Sequence, residues 1–289
     1  MSEIDTSKII DGKAVAAKVE AEATAAVLKL KEKGISPKLV TVLVGDNPAS
    51  QMYVRMKHKA CERVGILAED SLPPVDITEA ELLELIRGLN EDDSVSSILV
   101  QLPLPPHINA QTIMNAISPM KDPDGFHPFN MGNLMINEEG LVPCTPKGII
   151  RLMEEYNVEI KGKNAVVVGH SNIVGKPMAA MLLNRDATVS VCHVFTKDLK
   201  MYTKEADILV VGTGVKHLIK EDMVKEGVAV FDAGITTDST GTYGDVDFEN
   251  VIKKASLITP VPGGVGPMTI AILMQHVIKC AEMIAETKK

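Results

Sequence analysis

Along the chain, stretches with apolar residues at helical spacing alternate with short, continuous apolar runs. Residues 13–33 set alanines, Val19, Val27 and Leu30 among charges at that spacing and stop at Gly34, which predicts a first helix. The β-branched run "KLVTVLVG" over 38–45 reads as a strand, and "SQMYVRMKHKACERVG" over 50–65 as a helix closed by Gly65. A further amphipathic helix, "EAELLELIRGLNED", precedes "VSSILVQLPLP", a buried strand broken by prolines. This alternation is the pattern of an α/β fold with a mainly parallel sheet covered on both faces.

The texture changes over 120–148, where "MKDPDGFHPFNMGNLMINEEGLVPCTPKG" is dense in Pro, Gly and Asn. So irregular a stretch inside a compact protein reads as a functional loop or a domain junction. Beyond the helical "KGIIRLMEEYN", a second strand–helix series begins, with apolar runs at 165–168, 187–192, 207–211, 228–232 and 256–259. These spacings suit a small nucleotide-binding domain. A second Pro- and Gly-rich turn, "TPVPGGVGPMT", separates the series from a last amphipathic helix over 268–286, which is free to pack back on the first domain.

Composition narrows the function classes. A net charge of −8 and 3 % aromatic residues, with no Trp, argue against a nucleic-acid or anionic-membrane partner. The four cysteines are far apart and the seven histidines lack ligand spacing, so neither a disulfide framework nor a metal site is expected; His193 and His217 read as core or surface residues. The polar, acidic N-terminus has no signal-peptide character, and no apolar run approaches membrane-span length. A cytoplasmic protein is expected.

"NAVVVGHSNIVGKP", residues 164–177, runs from a buried-looking strand into Gly169, and Gly175 opens a helix. It resembles the dinucleotide fingerprint Gly-x-Gly-x-x-Gly, but Ser171 takes the middle place and the last spacing is one residue longer. A nucleophile elbow fails at its fifth position. A dinucleotide turn and an ordinary strand-to-helix turn both remain open for this loop alone.

Other polar residues have similarly plain alternatives. Tyr53 and Lys57 are four apart and share a helix face. Lys57 beside Arg55, His58 and Lys59 is either part of a solvated basic face or a lysine whose crowding by cations favours the neutral amine. Gln101 stands where its strand ends, the edge at which open α/β sheets place ligands. Asp122 and Asp124 in "KDPDGFHP" are good turn formers.

Together these stretches resemble a family. "YVRMKHKAC", "VQLPLPPH", "PMKDPDGFHPFNMG", "PCTPKG", "GHSNIVGKP", "DVDF" and "TPVPGGVGPMT" occur in the order of the bifunctional methylenetetrahydrofolate dehydrogenase/methenyltetrahydrofolate cyclohydrolase family, and the resemblance covers nearly the whole chain. It implies two α/β domains with a cleft between them, 1–145 with the C-terminal helix 267–289 as the catalytic folate domain and 146–266 as a Rossmann-like NAD(P)-binding domain. It also implies a homodimer, tetrahydrofolate derivatives as substrates, NADP as cofactor, and no partner nucleic acid or membrane. A different two-domain dehydrogenase would have no need of Lys57 and Gln101, and a non-catalytic folate-binding relative would lose the polar site residues.

Carried over by position, the resemblance makes Lys57 the general acid/base and Gln101 its holder. Tyr53 lines the pterin and the one-carbon centre, and Asp124 hydrogen-bonds the pterin. Leu102, Pro103, Pro262, Gly263 and Gly264 complete the folate side. Gly169, His170, Ser171, Ile173, Val174, Gly175, Val194 and Ile235 fall to the dinucleotide. Three positions depart from the commonest pattern. His170 stands where arginine is usual, Val194 where a polar or basic residue is common, and Pro123 where valine is frequent. The first two keep NAD open as a second cofactor.

Overall fold

Glycines and caps set the element ends. The computed structural model describes residues 5–287, the side chain of Ala49 excepted. Helix α1 (Gly12–Glu32) stops at Gly34, whose φ of 76° is the left-handed conformation that terminates helices. Strand β1 (Lys38–Val42) leads to α2 (Pro48–Val64), where Asn47 accepts the Ser50 amide at 3.1 Å. Next come β2 (Leu67–Ser71), α3 (Glu79–Glu91) and β3 (Ser97–Val100). Thr78 and Glu81 form a full capping box on α3, which buries Leu82 and Ile86.

Helices α4 (Ala110–Ala116), α5 (Pro128–Met135) and α6 (Cys144–Glu155) follow. The second series runs β4 (Asn164–Val168), α7 (Gly175–Leu183), β5 (Thr188–Cys192), α8 (Leu199–Thr203), β6 (Ile208–Val211) and β7 (Ala229–Asp232). A hairpin of β8 (Thr236–Asp238) and β9 (Gly241–Tyr243) precedes α9 (Phe248–Val251), β10 (Leu257–Ile258) and α10 (Val265–Thr287).

The chain packs as two compact units. One comprises residues 17–133, 139–142 and the C-terminal stretch from 270; its sheet is parallel, in the order β2-β1-β3. Val40, Val42, Ile98 and Val100 from that sheet pack with Leu82, Ile86 and Ile113. Each such side chain contributes roughly 1.5–3 kcal/mol by leaving water. The other unit comprises the segment up to Ala16, 134–138 and 143–269. Its five-stranded sheet is parallel throughout, in the order β10-β7-β6-β4-β5, over a core that includes Val166, Val168, Leu209, Val211 and Val230.

The structure departs from the sequence expectations at several points. The N-terminal segment packs with the second unit rather than the first. Ile10 donates its amide to the Ile258 carbonyl at 2.9 Å, and Ile9 bridges to Ile258. The stretch 120–148 is not wholly irregular, since it contains α5 and the start of α6. The broken strand of 95–105 is confined to the four residues of β3. Finally, α10 is long and apolar enough to cross a membrane by length and composition, although no such run was expected. Its Met268, Ile272, Met274, Val277 and Cys280 are nevertheless buried within the protein, as in the core helix of a globular fold.

Candidate active site and nucleotide turn

In both sheets the first strand has a neighbour on each side, and the chain adds strands first on one side of it and then on the other. Such reversals open a crevice at the carboxyl ends of the strands, where ligands bind. In the first unit the crevice lies beside β1 and β3. Gln101 follows β3 directly and extends its ladder, donating its amide to the Val42 carbonyl at 2.9 Å. Helix α2, which follows β1, presents Lys57, and the Lys57 ammonium donates to Gln101 Oε1 at 3.1 Å. Gln101 Nε2 in turn donates to the Leu102 carbonyl at 2.7 Å, which fixes which end of the amide faces the lysine. Tyr53 lies one turn earlier on α2 and is 43 % exposed, so its ring is available to a ligand.

Asp124 belongs to the same corner. Burial pushes its carboxyl above the usual carboxylate range, and the Lys57 ammonium pulls it back. Among the described residues its side chain makes no hydrogen bond. Asp122 is its opposite. That carboxylate, 2 % exposed, accepts the Gly125 amide at 3.0 Å, the His127 amide at 2.8 Å and Asn130 Nδ2 at 3.1 Å. The imidazole of His276 on α10 meets the Pro123 carbonyl at 2.9 Å. The turn-forming role therefore falls to Asp122, and Asp124 is held out with its acceptors free. Leu102 and Pro103 follow Gln101 along the rim, joined by a cis peptide. A separate cavity of about 550 Å³ in this unit, lined by Asp46, Gln51, Arg55 and Asp70 among others, includes neither Lys57 nor Gln101.

In the second unit the crevice lies at the end of β4, which sits between β6 and β5. Gly169 occupies that point with φ 118°, and a Cβ there would lie 2.4 Å from the Gly212 carbonyl oxygen. A Cβ on Gly175 would lie 2.1 Å from the Gly169 carbonyl oxygen. The two glycines thus do what the fingerprint's outer glycines do, letting the strand end turn tightly and α7 pack against it. Ser171 is turned inward on its own loop, accepting the Val174 amide at 3.1 Å. His170, Ser171 and Ile173 are exposed above the helix start, and Val174 is partly buried.

The remaining cofactor candidates ring this sheet edge. Val194 follows β5 and is 84 % exposed; Ile235 follows β7 and is 52 % exposed. His193, at the surface as one of its expected readings had it, places its ring 4.7 Å from that of His170, tilted by 37°. The turn of Pro262, Gly263 and Gly264 belongs to this unit as well. Gly264 is buried, and its missing Cβ makes room for the Pro260 carbonyl oxygen at 2.6 Å, so this glycine serves the turn's own packing. Sequence reasoning also passed over Asp232 and Asp245, both buried at the base of the chain segment that carries Ile235. Asp245 opens the "DVDF" string and Asp232 closes the 228–232 run, and neither carries a signal of its own.

A lysine–amide–carboxyl corner at one switch point and a glycine-bounded strand-to-helix turn at another define a two-unit α/β enzyme that uses a nucleotide cofactor. Residues 10–124 match the model of the tetrahydrofolate dehydrogenase/cyclohydrolase catalytic domain, and residues 143–285 that of the same family's NAD(P)-binding domain. The chain belongs to the tetrahydrofolate dehydrogenase/cyclohydrolase family and is a bifunctional enzyme of folate one-carbon metabolism. It is 68 % identical over 286 residues to the bifunctional protein FolD of Methanococcoides burtonii, covering 99 % of this chain and all of that one. The crystal structure of the bifunctional FolD methylenetetrahydrofolate dehydrogenase/cyclohydrolase from Campylobacter jejuni is 54 % identical, with a TM-score of 0.94 over 95 % of this chain and 98 % of that one. The Trypanosoma brucei enzyme, solved with NADP cofactor and an inhibitor, is 38 % identical, with a TM-score of 0.90 over 95 % and 97 %.

Proposed function

We propose that the dehydrogenase works with NADP and that Lys57, held by Gln101, is the proton carrier of the cyclohydrolase. In the first reaction the methylene bridge of 5,10-methylenetetrahydrofolate gives up a hydride and becomes a methenyl cation spread over two nitrogens. A bound nicotinamide supplies the hydride acceptor. That step needs orientation and charge stabilisation more than a proton donor. Tyr53 lines the one-carbon centre, Leu102 and Pro103 wall the pterin, and the carboxyl of Asp124 accepts from its N–H groups.

In the second reaction water adds to the methenyl carbon and loses a proton to the Lys57 amine. Lys57 returns that proton to the ring nitrogen as its bond to the carbon breaks. The hydroxyl then becomes the carbonyl of 10-formyltetrahydrofolate and releases its own proton to solvent. The observation that carries this reading is the 3.1 Å bond from Lys57 Nζ to Gln101 Oε1, which singles out one nitrogen of a basic helix face and holds it beside the strand end.

On the cofactor side, the N-terminus of α7 with Gly169, Ser171, Ile173, Val174 and Gly175 holds the phosphates, with Ile235 at the nicotinamide end and His170 and Val194 near the ribose. Pro262, Gly263 and Gly264 lie against the folate. The NADP bound by the trypanosomal relative supports the choice of dinucleotide. The working form is a cytoplasmic homodimer, which sedimentation of the purified protein tests. The decisive test of the chemistry follows methenyltetrahydrofolate by its near-ultraviolet absorbance. Given 5,10-methylenetetrahydrofolate and NADP, Lys57→Met accumulates the methenyl compound, which the parent hydrolyses. A variant that hydrolyses it at the parent rate sinks the assignment of Lys57.

A further inference from the structure

Two buried aspartates that this chemistry does not use close the base of one excursion of the chain. After β7 ends in Asp232, residues 233–244 leave the sheet, carry Ile235 and the β8–β9 hairpin, and return at Asp245. Asp232, 3 % exposed, ties both ends together. Its Oδ1 accepts the amides of Gly234 at 2.9 Å and Asp245 at 3.2 Å, and its Oδ2 accepts the Val246 amide at 2.8 Å.

Asp245, fully buried, reaches sideways to the turn after β6. Its Oδ2 accepts the Gly214 amide at 2.9 Å, Thr213 Oγ1 at 2.8 Å and the Thr213 amide. Among the described residues its Oδ1 has no hydrogen-bond partner. Glycines are required on both sides of the pair. A Cβ on Gly234 would lie 2.1 Å from Asp245 Cγ, and one on Gly244 would lie 2.0 Å from Asp232 Oδ2.

Two buried carboxylates side by side are costly, and hydrophobic side chains of similar size would cost less. Burial pushes Asp232 up to about 7 in spite of its three amide donors, and the neighbouring Asp245 charge adds to the rise. What the pair does achieve is geometric. The turn it grips follows Gly212, whose amide donates to the Val168 carbonyl at 2.9 Å, so the clasp ends beside the switch point at β4.

We infer that Asp232 and Asp245 are positioning residues for hydride transfer. They lock the excursion bearing Ile235 to the 213–214 turn, fixing the nicotinamide side of the cofactor site without touching cofactor or substrate. This rests on the assignment of Ile235 to the nicotinamide end.

The two activities of the enzyme provide the test. In Asp245→Ala, NADP-dependent oxidation of 5,10-methylenetetrahydrofolate should fall in kcat/KM by about tenfold or more, while hydrolysis of methenyltetrahydrofolate stays within twofold of the parent. Asp245→Asn should recover most of the loss, because an amide oxygen at the Oδ2 position still accepts from Thr213 and Gly214. Dehydrogenase activity unchanged in Asp245→Ala overturns the inference, as does a parallel loss of both activities in Asp245→Asn. Should Asp245→Ala not fold, Thr213→Ala removes one bond of the clasp and should lower the dehydrogenase alone; no loss there also overturns it. Ile235→Ala separates the two readings. If it leaves the dehydrogenase intact, the placing of Ile235 is wrong; if it impairs the enzyme while Asp245→Ala does not, the clasp is wrong.

Discussion

Lys57 on α2 and Gln101 at the end of β3, 44 residues apart in sequence, meet through one hydrogen bond of 3.1 Å. The amide is itself oriented by its bond to the Leu102 carbonyl, so the lysine faces a fixed acceptor. Gln101→Ala should therefore lower cyclohydrolase turnover by roughly 10- to 100-fold, within the range that misplaced general acid–base groups cost. Lys57→Met should lower it further and leave hydride transfer partly intact. Steady-state rates of both activities on the same preparations check this; equal losses in the two activities for Gln101→Ala would refute the division of labour.

Asp122 and Asp124, two residues apart, should behave oppositely. Asp122 accepts three donors while buried, so Asp122→Ala removes all three bonds, leaves the His127 amide without its acceptor and should cost about 1–3 kcal/mol of stability. Asp124 makes no such bonds among the described residues, so Asp124→Ala should leave the melting temperature nearly unchanged, weaken folate binding and depress both activities together. Calorimetric melting alongside folate titration distinguishes them. A lower melting temperature with normal folate affinity in Asp124→Ala would return that residue to the turn.

Asp232 gives a pH dependence whose sign is fixed. Its carboxyl is raised to about 7 in the folded protein from an ordinary value near 3.8, so between those values the folded state holds a proton that the unfolded chain has lost. Stability from this group is present at low pH and declines as pH rises from about 4 to 7, by on the order of 2–4 kcal/mol. Asp232→Asn cannot ionise and loses one amide bond at Val246. The gap in melting temperature between parent and variant should therefore narrow from pH 5 to pH 7.5. A gap that is constant across that range would show that Asp232 does not titrate there.

Much of the fold is legible because burial leaves a periodic trace. The apolar runs of β1, β3 and β4 to β7 were visible, as were the long helices α1, α2, α3 and α10. Strand β2 was not, because "LAEDS" is an edge strand with an almost wholly exposed face and carries no apolar alternation. Helix α5 hid behind Asn130, Gly132 and Asn133, and the β8–β9 hairpin is built from polar residues. At the site, the Tyr53–Lys57 spacing could be read from the helix period alone. The meeting of Lys57 with Gln101 depended on sheet order, and the division between Asp122 and Asp124 on which backbone amides the turn presents. The Asp232–Asp245 clasp left almost no signal, since its partners are amides from three separate segments.

The last expectation concerns which dinucleotide the turn at 169–175 prefers. An acidic residue about 20 positions after the first glycine, at the end of the second strand, would favour NAD by binding the ribose 2′-hydroxyl. Here β5 ends in Val191 and Cys192, followed by His193 and Val194, and no carboxylate repels a 2′-phosphate. The arginine expected at 170 is a histidine, exposed and stacked against His193. His193 Nδ1 accepts the Phe195 amide at 3.2 Å, which orients the second ring. An imidazole ring N–H can donate to a phosphate oxygen. NADP should therefore be preferred over NAD in kcat/KM. His170→Ala should lower that preference by about three- to tenfold, with little effect on kcat/KM for NAD. A preference unchanged in His170→Ala, or a parent that favours NAD, would remove His170 from recognition of the 2′-phosphate and leave the choice to the α7 N-terminus alone.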